Sequence, residues 1–178
     1  MTTIISTFGA PDANSYASLT QADSLLAVHA IDPSAWTDAG TPARGAALLC
    51  ATLDVDAVPW LGERARTIDP DQALAFPRSA IGLPSRLLAM DVSDALVAQE
   101  AGLALACSLH ALALLERSKD DSHEARRCAG VTRHAWRLGE LSEDYTYARK
   151  PAGSFSALAP PAQAVLSDFP RARRISRS

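Results

Sequence analysis

The stretch from Asp94 to about Arg117 constrains this chain more than any other. Leu96, Leu103, Ala106, Leu109, Ala113 and Leu114 recur at three- and four-residue steps, the period of an α-helix. Leu105 and Leu112 widen the apolar surface beyond one narrow stripe, so this helix is either central or shared with a partner subunit. Ser93 stands where an N-cap is wanted, and Val92 can staple onto Val97. Gln99 and Glu100 put polar side chains into the early turns. With 178 residues the chain can bury a core without disulfides or metal. No run of about 18 apolar residues is free of a charge or break, so no membrane span is expected.

Other helices follow from the same period. One is predicted from Ser18 or Thr20 to about Ala30, with Leu19, Ala22, Leu25, Leu26 and His29 on one face; Asp32-Pro33 ends it. Thr41-Pro42 reads as an N-cap followed by proline at the first helical position. That helix would run to about Val58 with Ala47, Leu48, Ala51 and Val55 inward. Residues 59–92 are rich in proline and read as an ordered loop with short helical turns. After a charged loop the period falls to two. Arg133, Ala135 and Arg137 alternate with His134, Trp136 and Leu138, and Leu141, Glu143, Tyr145 and Tyr147 continue beyond Gly139, which predicts a small β-hairpin at about 130–147. Pro160-Pro161 opens a last short helix to about Asp168. The fold class is therefore mainly α, a helical bundle-like domain over 14–169. A small β-hairpin joins it, with an extended N-terminal arm over 1–13 and a basic tail over 170–178.

Little in the sequence carries chemistry. The sequence has no nucleophile elbow, phosphate loop, dinucleotide fingerprint or H-E-x-x-H motif. Three cysteines (Cys50, Cys107, Cys128) and four histidines never reach zinc-site spacing, His123 with Cys128 coming nearest. The odd, scattered cysteine set argues for reduced thiols in a cytosolic setting, and Cys50 and Cys107 read as small hydrophobes within helices. Acidic pairs at Asp54/Asp56, Asp69/Asp71, Asp120/Asp121 and Glu143/Asp144 have no histidine beside them in sequence and read as solvated surface. No enzyme, cofactor or metal is expected. The net charge of −3 hides an asymmetry: residues 170–178 hold four arginines and no acid, so the body alone stands at −7. Single-strand binding would want basic residues interleaved with aromatics. The hairpin offers Arg133, His134, Trp136, Arg137, Tyr145 and Tyr147, opposed by Glu140, Glu143 and Asp144.

One ordered series of motifs goes further. It starts at Asn14-Ser15-Tyr16, passes Ala22-Asp23, Trp36, the helix around Ala46–Asp54 and Trp60-Leu61-Gly62-Glu63-Arg64, and closes on Gln72-Ala73-Leu74-Ala75-Phe76-Pro77-Arg78. Gln99-Glu100-Ala101, Leu138–Tyr145 and Ala157–Leu166 extend it, so the agreement spans about Asn14 to Arg171. The series resembles the head-to-tail adaptors of tailed bacteriophages, a family often labelled putative DnaT-like single-strand DNA-binding proteins. Phe76 stands where Trp is commoner in that family, and Leu83–Met90 matches poorly.

The resemblance implies a structural virion protein at the head–tail joint, made in the bacterial host cytoplasm. It would form a homo-oligomeric ring, commonly of twelve copies, beneath the portal. The ring would continue the channel for double-stranded genomic DNA and dock the next connector or tail component, with no membrane partner. The C-terminal segment of such adaptors enters the portal, which would give that role to Phe169, Arg171, Arg173, Arg174, Ile175 and Arg177. Asn14, Tyr16, Trp36, Trp60, Arg64, Phe76, Pro77, Arg78 and Tyr145 are the motif residues expected to act as structural anchors. Trp60 and Phe76 fit core or intersubunit positions, and Arg64 and Arg78 fit ion pairs within the fold or across subunits. The rival reading is a replication-type single-strand DNA-binding module, as the family label states.

Overall fold

The computed structural model describes residues 3–62, 64, 72–78, 92–119, 133–138, 141–146 and 157–169. The loop acids Asp69/Asp71 and Asp120/Asp121, His123 with Cys128, and the tail beyond Phe169 lie outside these residues. Four helices and a helical turn assemble around one long helix: α1 (Leu19–His29), α2 (Ser34–Thr37), α3 (Thr41–Asp56), α4 (Val92–Lys119), and α5 (Pro160–Val165) running into a 3₁₀ turn (Leu166–Asp168). The molecule is mainly helical.

Each helix start has a local cause. Ser18 caps α1 by accepting the Gln21 N–H at 3.1 Å, and the Gln21 side chain returns to the Ser18 N–H, completing a capping box. Asp32 accepts the Ser34 N–H at 2.9 Å and starts α2, a single turn absent from the sequence expectation. For α3 the N-cap is Gly40, without a side-chain hydrogen bond, so Thr41 is the first helical residue and Pro42 the second. The expected Thr41 cap is thus one residue late, and the helix ends at Asp56 rather than Val58. Helix α4 begins at Val92, which puts Ser93 inside the first turn instead of at the cap.

The predicted inward positions hold for α3, where Ala47, Leu48, Ala51 and Val55 are all buried. On α1, Ala22 and Leu26 are buried, but His29 is exposed because it occupies the last turn. Helix α4 is central: α1, α2, α3, α5 and the 3₁₀ turn all pack on it, and Leu103, Ala104, Ala106, Cys107, Ala111 and Leu112 are buried. By length and composition alone, Leu96–Arg117 is apolar enough to cross a membrane, contrary to the sequence expectation. Its burial within the bundle gives that apolar surface a different use, as the core of a helical domain.

The closing segment runs antiparallel to α4. Ala159 meets His110 at one end, and Phe169 meets Gly102 at the other. A side chain at 102 would lie 3.1 Å from the Phe169 ring, so glycine makes room for this close approach. Backbone of Arg133–Leu138 and Leu141–Thr146 is paired antiparallel, with His134 opposite Tyr145 and Trp136 opposite Glu143.

Candidate functional site

The motif residues converge at one end of the bundle. Phe76 lies edge-on to Tyr16, Trp60 and Phe169, with ring centroids 6.3, 5.4 and 5.8 Å away, and Trp60 meets Phe169 at 6.2 Å. All four rings are buried. Edge-to-face pairs of this kind add about 0.5–1.5 kcal/mol each beyond the burial of their area. Phe169, which the resemblance groups with the tail, is itself buried in this cluster.

Polar groups lock the cluster to α3. The Tyr16 hydroxyl donates to Asp56 Oδ1 and accepts the Phe76 N–H at 3.2 Å, while Asp56 Oδ2 accepts the Ala75 N–H at 3.1 Å. Burial, then the Asp56 charge, holds the Tyr16 phenol well above its ordinary value. Burial also raises the Asp56 carboxyl, against the lowering effect of the hydrogen bonds from Tyr16 and Ala75. Asp56 is thus no solvated surface acid, as the pair reading had it.

Segment 72–78 is held by the Gln72 amide and two guanidinium groups. Gln72 is buried and donates to the carbonyls of Leu74 (3.0 Å) and Pro77 (3.1 Å). The Phe76–Pro77 bond is cis. Arg78 donates to the carbonyls of Leu61 (2.9 Å), Ala75 (3.3 Å), Trp60 (3.4 Å) and Gly62 (2.5 Å). Arg64 donates to the Gln72 carbonyl at 3.2 Å, and its backbone pairs with that of Arg78. Both arginines thus donate to backbone carbonyls of this end of the bundle. Burial, then the Arg64 charge, lowers Arg78.

The remaining anchors are structural in the same way. Asn14 closes the N-terminal arm, accepting the Ile5 N–H and donating to the Thr3 carbonyl, both at 2.8 Å. Buried Trp36 donates to Asp23 at 2.6 Å, and Arg44 reaches the same carboxylate at 3.0 Å while lying 5.7 Å over the Trp36 ring. Tyr145 is placed here only by its register in the second strand. A groove of about 450 Å³ opens between the arm and the starts of α1 and α3, lined by Ile4, Leu19, Pro42 and Leu49 among others.

Two groups that carry chemistry elsewhere are occupied. His110, fully buried, puts Nε2 3.0 Å from Asp54 Oδ2, and its Nδ1 accepts the Ala159 N–H at 3.1 Å. This arrangement requires the neutral tautomer with the proton on Nε2. In sequence Asp54 stands alone because its histidine is 56 positions away. Burial pushes the Cys107 thiol up to about 11, so no thiolate is available there at neutral pH. Cys50 is exposed rather than packed inside its helix.

With the geometry in place, one comparison decides the family. The family model described as "Putative DnaT-like ssDNA binding protein" matches residues 1–167. The chain belongs to that family. No curated protein and no solved structure matches it. In this DnaT-like chain the matched region takes in the whole Tyr16–Asp56–Phe76 cluster and the Arg78 clamp, and stops two residues short of Phe169. The Tyr16, Trp60, Phe76 and Arg78 segments, far apart in sequence, are here parts of one packed assembly.

Proposed function

We propose that the protein is a non-catalytic module that binds single-stranded DNA. One observation carries the reading: the family match over residues 1–167, whose description names that ligand. Such binding joins a basic track along the phosphates to aromatic faces on which bases stack. The body does not supply those faces from Tyr16, Trp36, Trp60, Phe76 or Phe169, since all are buried. The contacts fall instead to residues 133–147, which bring Arg133, His134, Trp136, Arg137, Tyr145 and Tyr147, and to the tail arginines Arg171, Arg173, Arg174 and Arg177. No cofactor or metal enters this function.

A second reading is the head–tail adaptor, a ring of this chain between the phage portal and the next tail component at the virion neck. The burial of those five aromatic rings favours it, because a docking module needs no stacking platform on its body. In that reading the same tail arginines pair with acidic grooves of the portal by charge-assisted hydrogen bonds.

Gel retardation of single-stranded DNA at physiological salt, set beside electron microscopy of the protein mixed with a portal from the same genome, separates the two. Retardation without an added ring supports the DNA reading. A ring below the portal with no retardation replaces it with the adaptor.

A further inference from the structure

One imidazole ring joins three helices. His110 lies on α4, fully buried, with Nε2 3.0 Å from Asp54 Oδ2 of α3 and Nδ1 accepting the N–H of Ala159, the N-cap of α5. Leu158 and Ala159 are buried too, so the contact is shielded from solvent. With Nε2 already carrying the proton of the neutral ring, a second proton has one place to go, Nδ1. That nitrogen is met by a donor. An imidazolium offers two N–H groups and accepts nothing, so protonation sets it against the Ala159 N–H.

The charged groups on the surrounding helices do not relieve this conflict. On α3, Asp54 attracts a cationic ring, but from the Nε2 side, and its side chain is half exposed; Asp56 is held by Tyr16 and Ala75. Helix α5 has no titratable side chain, and Asp168 lies at the far end of the closing segment, beside Phe169. Along α4, Cys107 stands one turn before the ring, its thiol pushed up to about 11 by burial and so neutral; Glu116 and Arg117 come nearly two turns after it. On α1 and α2, Asp23 is held by Trp36 and Arg44, Asp32 caps Ser34, Asp38 has a partner of its own, and His29 is exposed.

We infer that His110 is a pH-sensitive latch: a second proton on its ring releases Ala159 and lets the closing segment, residues 157–169, leave α4. Release also parts Phe169 from Trp60 and Phe76. The latch stands apart from the DNA reading and does not depend on it. Its sign follows from the bond. A histidine in water takes its second proton at about pH 6.5, whereas the docked ring can take one only by losing Ala159. The released state therefore binds more protons, so docking is complete above that value and weakens as pH falls through it.

The test is amide hydrogen exchange of the full chain at about pH 7.5 and about pH 5.5, one unit either side of the histidine value. After correction for intrinsic rates, opening of Ala162–Phe169 is expected to rise about tenfold on acidification, the ratio one proton gives over that interval. Protection of Ala47–Val55 on α3 should not change. His110→Asn keeps an acceptor near the Nδ1 position and cannot titrate, so its ratio should be about one. Nitrogen-15 spectra of the wild-type ring give a reading that needs no variant: Nδ1 should gain a proton only as the closing segment opens. The latch is overturned by an unchanged wild-type ratio, by the same rise in His110→Asn, or by α3 opening in step with the closing segment. A protonated Nδ1 with Ala162–Phe169 still protected overturns it as well.

Discussion

Gln99 pairs with both backbone polar groups of Arg78. Its Oε1 accepts the Arg78 N–H at 3.1 Å, and its Nε2 donates to the Arg78 carbonyl at 3.2 Å. A buried side chain on α4 thus completes the hydrogen bonding of the strap that carries Phe76. Replacing it by alanine leaves two partly buried groups unpaired, at about 1–3 kcal/mol each where water cannot reach them. Gln99→Ala is expected to lower the urea midpoint by the equivalent of about 2–6 kcal/mol. Gln99→Glu keeps the acceptor but not the donor, and should fall between that variant and the wild type.

The Tyr16–Asp56 bond makes stability depend on pH with a definite sign. Tyr16 titrates well above 10.0 when folded, so on the alkaline side the folded state holds a proton that the unfolded state releases. Its contribution is complete below the unfolded value and declines as pH rises past it. Tyr16→Phe lacks this decline and leaves Asp56 Oδ1 and the Phe76 N–H without a partner. The variant should be less stable than wild type by about 1–3 kcal/mol at pH 8, and the gap should narrow by pH 11. Paired urea unfolding curves at the two pH values give the answer; a gap that widens contradicts the assignment. Asp56, also raised, acts in the same direction at acidic pH: its contribution is present below 3.8 and lost as pH rises through its folded value.

Gly102 and Phe169 should be energetically coupled. Ala at 102 gains up to about 1 kcal/mol of helix propensity but forces its Cβ to 3.1–3.2 Å from the ring, and overpacking costs about 1–3 kcal/mol. Gly102→Ala is expected to destabilise the wild-type background and to stabilise a Phe169→Leu background. A double-mutant cycle by thermal melting tests this; additive effects would mean the ring shifts freely.

His110 should govern the docking of the closing segment. Its Nδ1 accepts the N–H that opens α5. His110→Leu leaves that N–H unsatisfied and Asp54 without its partner. Amide exchange over Ala159–Leu166 should rise at least tenfold, with α3 protected as before. Uniform deprotection would instead mean that the histidine supports the whole core.

The main helices were legible because one buried face leaves its period in the sequence. Ala47, Leu48, Ala51 and Val55 on α3 show this, and the Pro160-Pro161 start of α5 needs only local stereochemistry. Short α2 escaped because a single turn has no period, and its cue was the Asp32 side chain reaching Ser34. The site was less legible. Gln72, Phe76 and Arg78 appear in sequence as one string, but their partners Tyr16, Asp56, Trp60 and Gln99 come from three other segments. Asp54 and His110 are equally distant, so each looked solitary. Cys50 and Cys107 sit in similar apolar surroundings along the chain, and only the packing of α3 on α4 separates the exposed thiol from the buried one.

The most direct test of the account is fluorescence anisotropy of a dye-labelled oligothymidylate titrated with the full chain between 50 and 200 mM salt, values at about the range where phosphate contacts are read. Saturable binding that weakens steeply as salt rises is the predicted result. A flat titration at about 50 mM salt, from protein whose melting shows it folded, would contradict single-strand binding.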